Sequence, residues 1–213
     1  MKKRKLVRWL SIPVAGVAAL SLLTIVGCVR TSGGTWYFKS AELPEGWPEL
    51  TPVGQVQVKQ YPEYRAAMVT EESADGGTGP MFNSLFSHIK SNDIAMTAPV
   101  DMTYSDSDKP KMTAMAFLYR TKDLGPVGQD GVVRIDDVDE RTYASVGVRG
   151  SYSRSNFERG LTKVETWLDN QTEWQADGPP RFLGYNGPFV PYFWRYGEVQ
   201  LPITSSAKPP DSR

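Results

Sequence analysis

Between residues 56 and 203 the chain writes one succession of elements twice, and that repetition leaves few folds open. Residues 56–61 (VQVKQY) alternate apolar and polar as a strand does, and residues 64–70 continue it. A glycine- and acid-rich loop over 71–80 leads to a helix in which Met81, Phe82, Leu85, Phe86 and Ile89 share one side. Strands over 94–104 and 112–120 follow, joined by a turn at 106–110. The second half has strands at 132–135 and 142–148, then a helix near Ser155 whose spacing to Glu158 predicts a capping box. Phe157, Leu161, Val164, Trp167 and Leu168 mark its buried stripe. After the break Asp177-Gly178-Pro179-Pro180, strands at 181–185 and 198–203 close the unit. Two tandem β-α-β-β repeats predict an α+β fold: an antiparallel sheet curled into a distorted barrel, with two flanking helices. No nucleotide-type glycine loop opens either helix, which argues against a doubly wound parallel sheet.

The first thirty residues obey a different logic. Lys2, Lys3, Arg4, Lys5 and Arg8 precede an uncharged run over 9–27, and Cys28 follows. A basic start, an apolar middle and small residues before a cut site describe an export signal. Ile25-Val26-Gly27-Cys28 is similar to a lipobox, in which the cysteine thiol is acylated and becomes the new N-terminus. An uncleaved span is the alternative, since about 20 apolar residues can cross a bilayer, although Pro13 and the glycine and serine positions suit a span poorly. Cys28 is the only cysteine, so no disulfide forms within the chain. The expected organisation is a signal peptide over 1–27, a lipidated Cys28 with a tether and packing arm over 28–53, one domain over 54–204 and a disordered polar tail over 205–213. The expected location is the bacterial cell envelope, at the outer membrane in a Gram-negative cell, where Val29 follows the cysteine.

Removing the signal changes the charge. The whole chain balances 24 basic against 24 acidic residues, and five of the basic ones precede Cys28. The mature chain therefore carries 24 − 5 = 19 against 24, a net −5. Such a balance does not suit nucleic acid, whose binding rests on neutralising phosphates.

Three segments are similar to a known family. Ile94-Ala95-Met96-Thr97-Ala98-Pro99-Val100 resembles the I-x-MTAPV signature of the SOUL haem-binding proteins. Phe82-Asn83-x-Leu85-Phe86 with Ile89 resembles the helix before that signature. The stretch Gly184-Tyr185-Asn186-Gly187-Pro188-Phe189-Val190-Pro191, with Arg195 and Glu198-Val199, resembles the family's closing segment. The resemblance covers residues 56–203 and implies the same barrel-like fold and reversible binding of haem or a related tetrapyrrole. Carried over residue by residue, it points to Phe82, Leu85, Phe86 and Ile89 on the helix, with Tyr185 and Phe189 on the closing loop. The same residues could equally be core. The Met-Thr-Ala-Pro segment reads as structural, since Pro99 lacks an N–H and suits an edge or bulge.

Chemistry is limited by what the chain lacks. His88, the only histidine, is the one imidazole available as an axial iron ligand, yet it stands at the border of the helix stripe, where a surface residue also fits. Arg65, Lys90, Arg149 and Arg195 are candidates for pairing with propionates. One histidine and one lipidated cysteine exclude a Cys-His pair and a His/Cys zinc site, and no Gly-x-Ser-x-Gly elbow is present. The reading is a membrane-anchored tetrapyrrole-binding module without catalysis. Two alternatives remain: a small-molecule hydrolase or effector-binding domain using Glu63, Glu165 or Glu198 with a tyrosine, and a tethered domain acting through protein partners.

Overall fold

A computed structural model describes residues 29–73 and 77–206. The expected signal segment, Cys28 and the tail beyond residue 206 lie outside the described residues. The chain opens with a hairpin, β1 (Val29–Ser32) and β2 (Thr35–Phe38). The first half of the domain is β3 (Val56–Tyr61), β4 (Tyr64–Thr70), α1 (Thr78–Ser91), β5 (Val100–Tyr104) and β6 (Met112–Leu118). After β7 (Gly128–Asp130), the second half is β8 (Val133–Val138), β9 (Arg141–Arg149), α2 (Arg154–Asp169), β10 (Trp174–Ala176), β11 (Arg181–Gly184) and β12 (Tyr196–Ser205).

The expected repeat is present with one correction: each half is β-β-α-β-β. Pro62, which has no N–H to donate, separates β3 from β4, and Asp139-Glu140 turn the chain between β8 and β9. The extra strand matters because it is exchanged. Each half forms the same three-strand order, β4-β6-β5 and β9-β12-β11, while β3 pairs with β9 of the second half and β8 with β4 of the first. The halves meet where β5 pairs with β11, Val100 opposite Gly184 and Thr103 opposite Arg181. The result is one ten-stranded antiparallel sheet in the order β3-β9-β12-β11-β5-β6-β4-β8-β7, with β10 beside β12. No pairing among the described residues joins β3 to β7, so hydrogen bonds do not close it into a barrel.

Both helices lie on one face. Met81, Leu85 and Ile89 of α1 and Phe157, Leu161 and Val164 of α2 share a core with Val69, Met102, Met115, Val146, Phe182 and Val199. Strand alternation sends the intervening residues to the opposite face, where Tyr61, Tyr143, Leu183 and Tyr196 pack. The arm over 29–53 covers that face: Leu50 and Thr51 are fully buried, and Trp47 packs beside them. α2 starts two residues earlier than its sequence suggests. Ser153, not Ser155, is the cap, its hydroxyl accepting from the Asn156 N–H at 3.3 Å, and Glu158 instead pairs with Arg154 at 2.7 Å. The helix seats closely through Gly160, where a Cβ would lie 2.5 Å from Val199 Cγ2.

Candidate functional site

The helices leave the middle of the sheet uncovered. α1 packs on β4, β6 and β8, and α2 on β3, β9, β10 and β12, so the β5–β11 seam runs between them. A cavity of about 830 Å³ occupies this cleft, within the usual range for small-molecule sites. Phe82 and Phe86 line it from α1, Met102 and Tyr104 from β5, and Met112 and Met115 from β6. Tyr152, ahead of α2, and Tyr185, Pro188 and Phe189, after β11, form the facing wall. Five of the chain's seven methionines, Met81, Met96, Met102, Met112 and Met115, line the cavity. Unbranched, polarisable side chains of this kind adapt to a flat apolar guest. Exposed Lys111 and Arg154 stand at its edge, with Arg195 and Glu71.

The residues singled out from sequence divide into two groups. Phe82, Phe86, Tyr185 and Phe189 line the cavity. Leu85 and Ile89 do not; both are buried in the core between α1 and the sheet. The single stripe on α1 is therefore two: Leu85 and Ile89 face the strands, Met81 lies in the same core and also reaches the cavity, and Phe82 and Phe86, one turn apart, flank them. Their rings stack at 6.1 Å, and Phe82 meets Phe117 edge-on at 5.1 Å.

His88 stands apart from the cavity. Its Nδ1 donates to Asp130 Oδ2 at 2.6 Å, and its Nε2 accepts from the Tyr119 hydroxyl at 2.8 Å, a tautomer fixed by those partners. With both ring nitrogens engaged, the imidazole fastens α1 to β7 and to the residue after β6. Replacing His88 by alanine leaves the buried Tyr119 hydroxyl without its partner. The expected loss is about 1–3 kcal/mol of stability, read as a lowered unfolding midpoint, with the spectrum of added haem unaltered.

Of the propionate candidates only Arg195 reaches the cavity, and its Nε and Nη2 are given to the carbonyls of Val190 (2.8 Å) and Pro188 (2.9 Å). Arg65 pairs with Asp137 at 2.7 Å, Arg149 donates to the carbonyls of Trp36 and Trp194, and Lys90 is exposed on α1. The sequence reading missed Lys111 and Arg154. Neither lies in a motif: Lys111 precedes β6 and Arg154 opens α2, and only the packing of those two elements brings them to the cleft.

On the opposite face lies a second constellation. The Glu198 carboxylate, fully buried, accepts from Lys59 Nζ at 3.1 Å, the Tyr196 hydroxyl at 2.9 Å, Gln200 Nε2 at 2.7 Å and the Thr51 N–H at 2.8 Å. The hydroxyls of Tyr61 and Ser145 approach at 3.2 Å. Burial alone would raise this carboxyl, but Lys59, the Thr51 N–H and the Tyr196 hydroxyl outweigh it and hold it below the usual carboxylate range. Beside it Arg181 pairs with Asp101 at 2.9 Å and lies over the Tyr143 ring at 3.8 Å. A carboxylate held anionic, saturated with donors and sealed by the arm does not serve as a general acid. Glu63 is tied to Lys122 at 2.5 Å, and Glu165 is exposed on α2. Among the described residues no group of three His, Cys, Asp or Glu side chains is placed to hold a metal ion.

Haem is the group that a cleft of this shape brings into question. The wall fits a flat apolar macrocycle, with cations at the edge for its carboxylates. The donors it would offer iron are the methionine thioethers and the Tyr104 phenol, since the Tyr185 hydroxyl accepts from Trp47 and the Tyr152 hydroxyl is bonded to Tyr196 and Asn186. Burial raises the phenols of Tyr104, Tyr152 and Tyr185 above their ordinary value, so they stay protonated at neutral pH. Any affinity for haem would have to come from buried area and ring contacts more than from an axial bond.

Residues 49–202 match the SOUL heme-binding protein family. The chain belongs to the SOUL family. No curated protein matches this SOUL chain in a sequence search. Its fold is similar to that of EcmrR in a cryo-EM complex with DNA, at 15% identity and a TM-score of 0.51, covering 70% of this chain. The SOUL chain spans 57% of that EcmrR chain, but 97% of the separately solved EcmrR C-terminal domain. A hydrolase from Listeria innocua is also similar, at 11% identity and a TM-score of 0.53 over 72% of this chain and 94% of its own. At these identities the likeness establishes a shared fold alone.

Proposed function

We propose that this chain is an exported, lipid-anchored SOUL protein that reversibly holds haem or a related tetrapyrrole in the cleft between α1 and α2, without turnover. The observation that carries the reading is the apolar cleft over the β5–β11 seam, walled by methionines and stacked phenylalanines and edged by Lys111 and Arg154. When bound, the group supplies its own redox and light-absorbing chemistry. The residues of the chain do the rest. Phe82 and Phe86 give a ring surface, the methionines fill against the macrocycle, and Lys111 and Arg154 meet its carboxylates. Tyr152 holds the wall in place, its hydroxyl donating to the Tyr196 carbonyl at 2.8 Å and accepting from the Asn186 N–H at 2.7 Å. Export and lipidation rest on the basic start, the apolar run and the lipobox-like ending at Cys28. Among the described residues no helix is long and apolar enough to cross a membrane.

Titrating residues 29–213 with ferric haem tests the binding. The expected result is a saturable Soret shift at one haem per chain, beyond that of an unrelated protein. Phe82→Ala and Phe86→Ala should each weaken it by about 0.5–1.5 kcal/mol, roughly two- to twelvefold. A response no greater than the control's would sink the binding reading.

A further inference from the structure

We infer that the exposed aromatic surface formed by β2 and the loop over 187–195 lies on the lipid bilayer and opens the cavity mouth toward it. The inference rests on the lipid-anchored reading above. Five large rings stand out in one place: Phe189 is 98% exposed, Tyr192 63%, Phe193 54%, and Trp36 and Trp194 41% each. Single exposed apolar residues are ordinary, but a contiguous aromatic surface marks an interaction site. Four of the five, with Phe38, touch ring by ring, and Phe189 stands on the same loop. Trp36 meets Phe38 edge-on at 5.9 Å, Phe38 stacks on Trp194 at 5.6 Å, Trp194 meets Phe193 at 5.1 Å, and Phe193 meets Tyr192 at 5.4 Å.

The surface is built rather than frayed. Residues Tyr192–Trp194 form a single helical turn. The Arg195 guanidinium ties down the carbonyls of Pro188 and Val190. Arg149 sits 3.6 Å over the Trp36 ring and donates to the Trp194 carbonyl at 3.0 Å, bridging the hairpin to the loop. Holding that many apolar rings in water has no folding benefit, so the surface is shaped for something outside the chain.

The place of the anchor identifies what that is. In the hairpin Val29 pairs with Phe38, the ring that stacks on Trp194. Cys28 is the residue before Val29, one Cα step of about 3.8 Å further on. Acyl chains on Cys28 would therefore leave the chain one residue from the hairpin end that carries Phe38, which tethers the rings close to the bilayer. Tryptophan and tyrosine are the residues that favour the membrane–water interface, because each joins an apolar body to a polar edge.

The same surface runs into the cleft. Pro188 and Phe189 line the cavity, and Phe189 carries the most exposed ring of the patch. With the patch seated on lipid, the mouth opens at the acyl–headgroup boundary. An apolar ligand can then pass between bilayer and cleft without crossing water.

The test uses the full lipidated chain in vesicles of mixed zwitterionic and anionic phospholipid containing a lipid brominated near its headgroup. Co-flotation reports anchoring, and bromine quenching of tryptophan fluorescence reports contact. Expected is flotation with strong quenching, most of which is lost in Trp36→Phe/Trp194→Phe but retained in Trp167→Phe/Trp174→Phe. Phe189→Asp, at a ring outside the core, should likewise lower the quenching while flotation persists. Flotation with quenching indifferent to Trp36→Phe/Trp194→Phe and to Phe189→Asp overturns the docking and leaves the anchor standing; a protein partner would then be the occupant. A chain that does not float removes the anchored reading and the docking together. Haem binding by the soluble domain is unaffected by either outcome, so the failures are distinguishable.

Discussion

Replacing Glu198 by alanine is expected to cost about 3–5 kcal/mol of stability, because it removes one partner from a buried ion pair and strands the other. Lys59, whose ammonium burial already disfavours, would be left beneath the arm with no carboxylate, and the hydroxyls of Tyr61, Tyr196 and Ser145 would lose their shared acceptor. The Thr51 N–H would be orphaned too, loosening the arm from the sheet. Denaturant unfolding followed by tryptophan fluorescence measures the loss; a change below about 1 kcal/mol, the value of an exposed pair, would refute the assignment. Acid probes the same group. Its folded value lies below the ordinary 4.5, so its stabilisation is fully present above that pH and is lost as pH falls through the depressed folded value. Asp101 acts in the opposite sense, since burial raises its carboxyl despite Arg181. Glu198→Gln, which keeps the shape and removes the charge, should therefore flatten the acid limb of the stability curve seen in the parent chain.

How far the sequence could be read follows from the range of the interactions involved. Period and turn residues are local, so the two halves, both helices and most strands were legible. The exchange of β3 and β8 between halves was not, because strand pairing is a choice among distant partners that alternation alone does not make. The α1 stripe shows the same limit at one residue's resolution. Five apolar positions on one side of a helix say that the side is covered, not that Phe82 and Phe86 face a cleft while Leu85 and Ile89 face strands. His88 was ambiguous at the stripe's border because its partners, Asp130 and Tyr119, come from β7 and from beyond β6. Glu198 stood in the sequence only as one of three glutamates, with Glu63 and Glu165, that could act beside a tyrosine in the alternative catalytic reading. The tyrosines are there, but Lys59 and the arm convert the group from a reactive acid to a structural anion.

Phe157→Ala should be the most damaging change on the helix face, with a loss of about 3–5 kcal/mol. Phe157 is fully buried, stacks on the Tyr104 ring at 3.8 Å and lies 6.3 Å from Phe182. At about 2–4 °C per kcal/mol for a chain of this size, the melting temperature falls by roughly 6–20 °C. The informative consequence is at the cleft. Tyr104 lines the cavity, and the Phe157 ring is what holds it flat from behind, so core packing sets the shape of the ligand wall. Phe157→Leu separates the two effects. It restores most of the buried volume and removes the stack, leaving a folded domain in which Tyr104 must be ordered by the ligand. Ordering one such side chain costs about 0.5–1.5 kcal/mol, so tetrapyrrole affinity should fall roughly two- to twelvefold in a protein that still melts cooperatively. Unchanged affinity in Phe157→Leu would mean that the wall is held by other contacts and that Tyr104 is not a contact surface for the ligand.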